Sequence, residues 1–208
     1  MALNNFANIK AAIKSWSKRE DVDDKLDDFI VLAENAMYTN SIEPIRIRSM
    51  ITTETSAMST SVRTQALPTD FLDMRRFDVT VSGLRPKIDY VTPAHQVIRD
   101  GSGTPSNYTI TDQIEYDILP DQAYVTNIVH YAKLTALSAS NTTNDILTNH
   151  PEVYLYGGLM KLFQWAEDDE QALKYQQLFF SAINAANSVD KMGNTGVATQ
   201  KARRGRNP

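Results

Sequence analysis

The sequence predicts an α+β fold: a helical bundle with a C-terminal helical hairpin, carrying an antiparallel β-rich region inserted between its two halves. Two textures and their order support this. Residues 1–49 and 144–191 place apolar side chains at three- and four-residue spacing, the period of an amphipathic helix. Residues 50–138 are rich in threonine, serine and valine and contain alternating runs, which favours strands. Helices on both sides of a block of strands make the strands an insertion. A basic tail punctuated by glycine, residues 192–208, follows the last helical pattern.

Each element has its own signal. Asn5 to Ser17 sets Phe6, Ile9, Ile13 and Trp16 on one helical face. Asp21 to Met37 does the same with Val22, Leu26, Phe29, Ile30, Ala33 and Met37, and its early aspartates suit the positive end of the helix dipole. Pro44 is placed to open a short helix over Ile45–Ser49. MRRFDVTV, the turn pair Ser82-Gly83 and LRPKIDYV read as a hairpin, with Phe77, Val79 and Val81 on one face and Pro86 at an edge. Thr92 to Ile98 reads as a capped helical turn or two. NYTITDQIEYDIL and AYVTNIVHYAKLTAL read as two strands joined at Pro120-Asp121. The second is apolar on both faces, which predicts a central position.

After a polar connector at Ser138–Thr143, helix returns. Asn149 and Glu152 have the spacing of a capping box, with Pro151 in the first turn. Tyr156, Leu159, Met160 and Phe163 form the stripe. Gly157-Gly158 interrupts it at roughly 1 kcal/mol per glycine relative to alanine, a cost that close approach of another backbone would offset. Asp168 and Gln171 are spaced as a second capping box, and Ala172, Tyr175, Phe179, Ile183 and Ala186 carry the core face onward.

Composition narrows the function. There is no cysteine, which excludes disulfides and thiol nucleophiles. No apolar run approaches the ~20 residues of a membrane helix, and the first residues lack the apolar stretch of a secretory signal. A soluble cytoplasmic chain with no membrane association is expected. His95, His130 and His150 fall in three different predicted elements, without the short spacing of paired metal ligands. Asp21–Leu26 fails as a calcium loop because Lys25 and Leu26 occupy the fifth and sixth positions, where an oxygen ligand and glycine are needed. Gly101–Pro105 lacks the lysine of a phosphate-binding loop and reads as a turn. No catalytic, cofactor or metal site is therefore expected, and no enzymatic activity. The net charge of −4 combines +4 on the tail with −8 on the remainder. Lys201, Arg203, Arg204 and Arg206 suit an acidic groove or phosphates, in a segment with too little apolar surface to order by itself.

Several blocks, in order, resemble the head-to-tail adaptor (head-completion or connector) proteins of short-tailed phages. Ala66-Leu67-Pro68-Thr69-Asp70-Phe71-Leu72 resembles the family's "LPxDFL" element, and Gly103–Tyr108 its "GxPxxY". Tyr131 stands where the family carries a tyrosine signal on its strand. Asn149–Gly157 resembles the "xxPDlYLYgaL" helix start, and Asp168-Asp169-Glu170 the acidic turn before the last helix. The chain departs in having two glycines at Gly157-Gly158 and one tyrosine beside Ala132-Lys133. The resemblance covers Asp21 to Asn187 and implies a virion structural protein at the neck, made in the host bacterial cytoplasm. It further implies a ring, usually of twelve copies, under the portal. Such a ring extends the channel for the genomic DNA and receives the tail nozzle or other tail proteins. On this reading Tyr156, Gly157, Gly158 and Met160 pack copies around the ring, while Lys201, Arg203, Arg204 and Arg206 contact portal or DNA. The alternatives are a tail-tube or other neck protein, and a freestanding nucleic-acid-binding protein that uses its basic tail.

Overall fold

A computed structural model describes residues 3–39 and 42–194 of the chain, in a mixed α+β architecture. The described residues form two compact units. One runs up to Arg48 and resumes at Thr135; the other is Ser49–Leu134.

The first unit contains α1 (Phe6–Ser17), α2 (Leu26–Thr39), α3 (Asp145–Asn149), α4 (Pro151–Trp165) and α5 (Asp169–Asn194). Helix α4 is the hub, packed against α1, α2, α3 and α5. Its two glycines explain how three long helices approach it so closely. A Cβ on Gly157 would lie 2.9 Å from the Ala33 Cβ and 2.9 Å from Phe179 Cε2. One on Gly158 would lie 2.4 Å from Ile13 Cδ1. The close approach is thus made by side chains of α1, α2 and α5 in the same chain, not by another backbone.

A buried carboxylate ties the returning chain to this bundle. Glu34 on α2 accepts from the Leu137 N–H at 2.8 Å and from the Tyr154 hydroxyl at 2.9 Å. Asn144 donates to the same hydroxyl at 2.7 Å, and its Oδ1 caps α3 through the Leu147 N–H at 3.0 Å. Burial, with Glu34 beside it, pushes the Tyr154 phenol well above its usual range.

Several local expectations need correction. Trp16 is 51% exposed instead of joining Phe6, Ile9 and Ile13 in the core. No helix forms over Ile45–Ser49 apart from a 3-10 turn at Arg48–Met50. There the Ile45 N–H donates to the Met37 carbonyl at 2.9 Å and the Arg46 N–H to Asn187 Oδ1 at 2.8 Å, so flanking helices take the donors. Asn149 ends α3 instead of capping α4, and its side-chain amide donates to the Asp145 carbonyl at 3.0 Å. Pro151 still opens α4, and Asp168 does cap α5, accepting from the Gln171 N–H at 3.1 Å. Helix α5 continues through Asn194, past the point at which the sequence suggested a tail.

The second unit holds nine strands: β1 (Ile51–Ala57), β2 (Thr64–Gln65), β3 (Phe71–Thr80), β4 (Asp89–Tyr90), β5 (Ser102–Gly103), β6 (Asn107–Ile110), β7 (Ile114–Tyr116), β8 (Leu119–Pro120) and β9 (Val125–Ala132). Strand β9 is central in an antiparallel sheet of order β1-β9-β3, as its two apolar faces predicted. A second sheet has the order β2-β7-β6-β4, and β5 pairs with β8. The turn at Ser82-Gly83 forms with positive φ at both residues, closed by reciprocal Val81–Leu84 backbone bonds of 2.9 Å. Its return limb is irregular, and β4 pairs with β6 rather than with β3. The single strand expected over Asn107–Leu119 is instead a hairpin, β6 and β7, turned at Thr111–Gln113. Thr111 Oγ1 donates to Asp112 at 3.1 Å and Glu115 at 3.0 Å there, a local turn bond that hydrophobic alternation does not reveal. Phe77 anchors the core, edge-on to Tyr108 at 5.0 Å and stacked on Tyr116 at 6.2 Å.

Two stability predictions follow from the helical unit. Gly157→Ala is expected to destabilise by about 1–2 kcal/mol, because Ala33 Cβ is fixed to its backbone and overpacking outweighs the gain in helix propensity. Gly158→Ala should cost less, since the far end of Ile13 can rotate away; urea unfolding of the two variants gives the order. Glu34→Ala is expected to cost about 2–5 kcal/mol by leaving two buried donors without their acceptor, against a smaller loss for Glu34→Gln in the same measurement.

Candidate functional site

The three histidines lie apart in the described structure. His95 sits exposed in a 3-10 turn, its Nδ1 2.8 Å from Thr92 Oγ1. His130 is buried on β9, with Nε2 3.3 Å from Asp70 and its ring stacked on Phe71. His150 precedes α4, 3.6 Å from Glu152. Among the described residues no group of three His, Asp or Glu side chains is placed to hold a metal ion. The aspartates between α1 and α2 pair outward with cations: Asp21 with Arg19 at 2.6 Å and Asp23 with Lys14 at 2.8 Å. The Arg19 guanidinium holds the Asp21 carboxyl below the usual carboxylate range. Solvent screens these pairs, so they shape the surface charge more than the stability.

What the chain offers instead is surface. On the helical unit an aromatic strip crosses three helices, from Trp16 on α1 to Tyr156 on α4 at 6.4 Å, and on to Tyr175 of α5 at 6.4 Å. Phe163 stacks parallel on Tyr175 at 5.4 Å. The strip surfaces at Trp16. Near Phe163 at the end of α4, Trp165 is 42% exposed, packed on Phe29 and under the Arg19 guanidinium at 5.3 Å. Of the four residues assigned to packing between copies, Gly157, Gly158 and Met160 are buried inside this chain's own bundle. Tyr156, half-buried in the strip, is the one that reaches the surface. The tail cations Lys201, Arg203, Arg204 and Arg206 lie outside the described residues.

In the β unit, the β1-β9-β3 sheet presents an edge at β1 and another at β3. Strand β1 pairs with β9 along its full length, from Ile51 opposite Tyr131 to Ala57 opposite Val125, and its other side meets no strand among the described residues. Thr52, Thr53, Glu54 and Thr55 are all exposed. At the opposite edge β3 carries two bulges against β9, with Leu72 and Arg75 as the extra residues. Its first half borders a groove of about 550 Å³ lined by Arg75, Arg76, Lys87, Tyr90 and Tyr108, among others. Burial, then Tyr90, Asp73 and Asp89, push the Tyr108 phenol up to about 12. The Ser82-Gly83 turn projects Leu84, 73% exposed. Sequence reading missed both edges. Which side of a strand stays unpaired is decided by partners distant in sequence, and only the threonine run of β1 hinted at it.

Comparison with known proteins agrees with a surface-driven role. A family model described as SU10 adaptor protein matches residues 4–203, nearly the entire chain. No curated protein matches it. By this match the chain belongs to the SU10 adaptor protein family and is a phage adaptor, a structural protein of the virion.

Proposed function

We propose that the chain is one subunit of a ring in the neck of a short-tailed phage, bound beneath the portal, receiving the tail nozzle and continuing the DNA channel. The observation that carries the reading is the family match over residues 4–203. It is supported by a fold whose evident chemistry lies in surfaces: an aromatic strip on the helical unit and open strand edges on the β unit. Ring closure needs heterologous contacts, in which each copy offers two different surfaces. The −8 charge outside the tail suits a conduit, since a negative wall repels phosphates and leaves the genome free to slide. The basic residues then act outside the wall on portal carboxylates, Arg203, Arg204 and Arg206 as forked donors and Lys201 as a point charge.

The mass of the purified chain with and without portal tests the assembly: a defined multimer, with twelve copies as the expectation, forms on the portal. A chain that stays monomeric with portal present contradicts it. Truncation after Asn194, which spares all of α5, should preserve the circular dichroism spectrum and weaken portal binding about tenfold or more, the effect of ~1.4 kcal/mol. If the truncated chain binds normally, the tail has no docking role. If the tail instead touches DNA, affinity of the intact chain for free duplex falls steeply with added salt and the truncation abolishes that dependence.

A further inference from the structure

We propose that the two open edges of the β1-β9-β3 sheet meet head to tail between copies, the β1 edge of one copy pairing with the β3 edge of the next. The inference rests on the ring reading above and names the contact that would close it.

An edge strand is a template for another strand, and proteins that stay apart block it with lysine, proline or a bulge. Strand β1, ITTETSA, has none of these: it carries no cation or proline and keeps unbroken register with β9 over seven residues. Glu54, at its centre, is exposed and makes no ion pair among the described residues. The β3 edge is its counterpart, although its bulges at Leu72 and Arg75 confine any backbone ladder there to short stretches, so the contact leans on side chains. From Phe77 on, this edge is covered by its own return limb, with the Ile88 N–H on the Phe77 carbonyl at 3.1 Å and the Val79 N–H on the Pro86 carbonyl at 3.2 Å. Over Phe71–Arg76 no strand pairs with it among the described residues. That open half forms one wall of the groove of about 550 Å³, where Asp73 stands among Arg75, Arg76 and Lys87, and Lys87 lies 3.7 Å from Asp89. Arg76 is engaged with buried Asp78 at 2.8 Å. Arg75, re-aimed by its bulge, spends one donor on the Tyr131 hydroxyl at 2.9 Å and has others to offer a carboxylate.

Charge selects the arrangement. Two β1 strands paired antiparallel about their centres would set Glu54 against Glu54, and like charges directly opposite destabilise a strand pair. Glu54 against Arg75 and Lys87 is attractive. Both β1 and β3 run antiparallel to β9, so they share a direction. A rotation about an axis near the strand direction preserves it, and the contact between copies is a parallel pairing. Such a contact is heterologous and can close into a ring, whereas a self-pairing edge stops at a dimer.

Charge reversal tests this with the full chain and portal, read as complex mass. Glu54→Arg alone and Arg75→Glu alone are each expected to weaken assembly about tenfold or more. The double variant should recover it, and so should an equal mixture of the two single variants, because alternating copies then match at every contact. Circular dichroism checks each fold. Should Arg75→Glu alter the spectrum, Lys87→Glu on the same groove, 64% exposed, takes its place. Single variants that assemble like the parent, or a double variant no better than the singles, overturn the pairing. A parent chain that never assembles on the portal removes the ring reading itself, and the pairing with it.

Discussion

The helical unit depends on two positions with no room for a methyl group. Gly157 and Gly158 sit midway along α4, where the helix meets Ala33 and Phe179 on one flank and Ile13 on the other. Adjacent residues on a helix point about 100° apart. Two consecutive glycines therefore clear a broad arc of the surface, wide enough to admit α1, α2 and α5 together. The propensity cost of about 1 kcal/mol for each glycine is small beside the apolar surface that three close helices bury. Tyr154, from the preceding turn, continues the same logic in polar form. Its hydroxyl links Glu34 to Asn144, so the segment returning from the β unit enters the bundle in one register.

The β unit is organised around a strand in the same way. Strand β9 supplies both ladders of the larger sheet, and Thr126 joins it to other strands through a buried polar chain. Gln65 Nε2 donates to Thr126 Oγ1 at 3.1 Å, and the Tyr116 hydroxyl donates to Gln65 Oε1. Burial raises the Tyr116 phenol above its usual range. A buried polar chain of this kind fixes register, because a slip of one residue would point Thr126 to the wrong face. The register in turn decides which edges remain open.

The sequence made periodic features legible and left relational ones hidden. The stripe from Ala172 to Ala186 on α5 is buried as its spacing predicted, and Asp168 caps that helix as its place before Gln171 predicted. Both signals are local. Trp16 shares the period of Ile9 and Ile13 but lies near the last turn of α1, where exposure depends on how far the neighbouring helices extend. The Asn149 cap failed for a similar reason: a short helix, α3, ends where the second was expected to start, and Asn144 does the capping. The glycine pair was readable as a demand for space, yet its occupants come from α1, α2 and α5, whose approach no single segment encodes. The tail cations, conspicuous in composition, lie outside the described residues.

These two hubs divide the demands on an adaptor. A subunit held between different neighbours needs surfaces that do not repack when one contact forms, because a yielding core would absorb binding energy as strain. Placing the glycine-cleared crossings in the interior of one unit and the polar register lock in the interior of the other leaves the peripheral groups free to specialise. Glu54 on an unblocked edge and Leu84 at a turn tip are both exposed, away from the buried side chains that maintain their unit. Substitutions there should alter assembly with little effect on folding, whereas substitutions at Gly157 or Glu34 act on folding first. The insertion is also simple in the chain: the β unit is one continuous stretch, Ser49–Leu134, between the two segments of the helical unit.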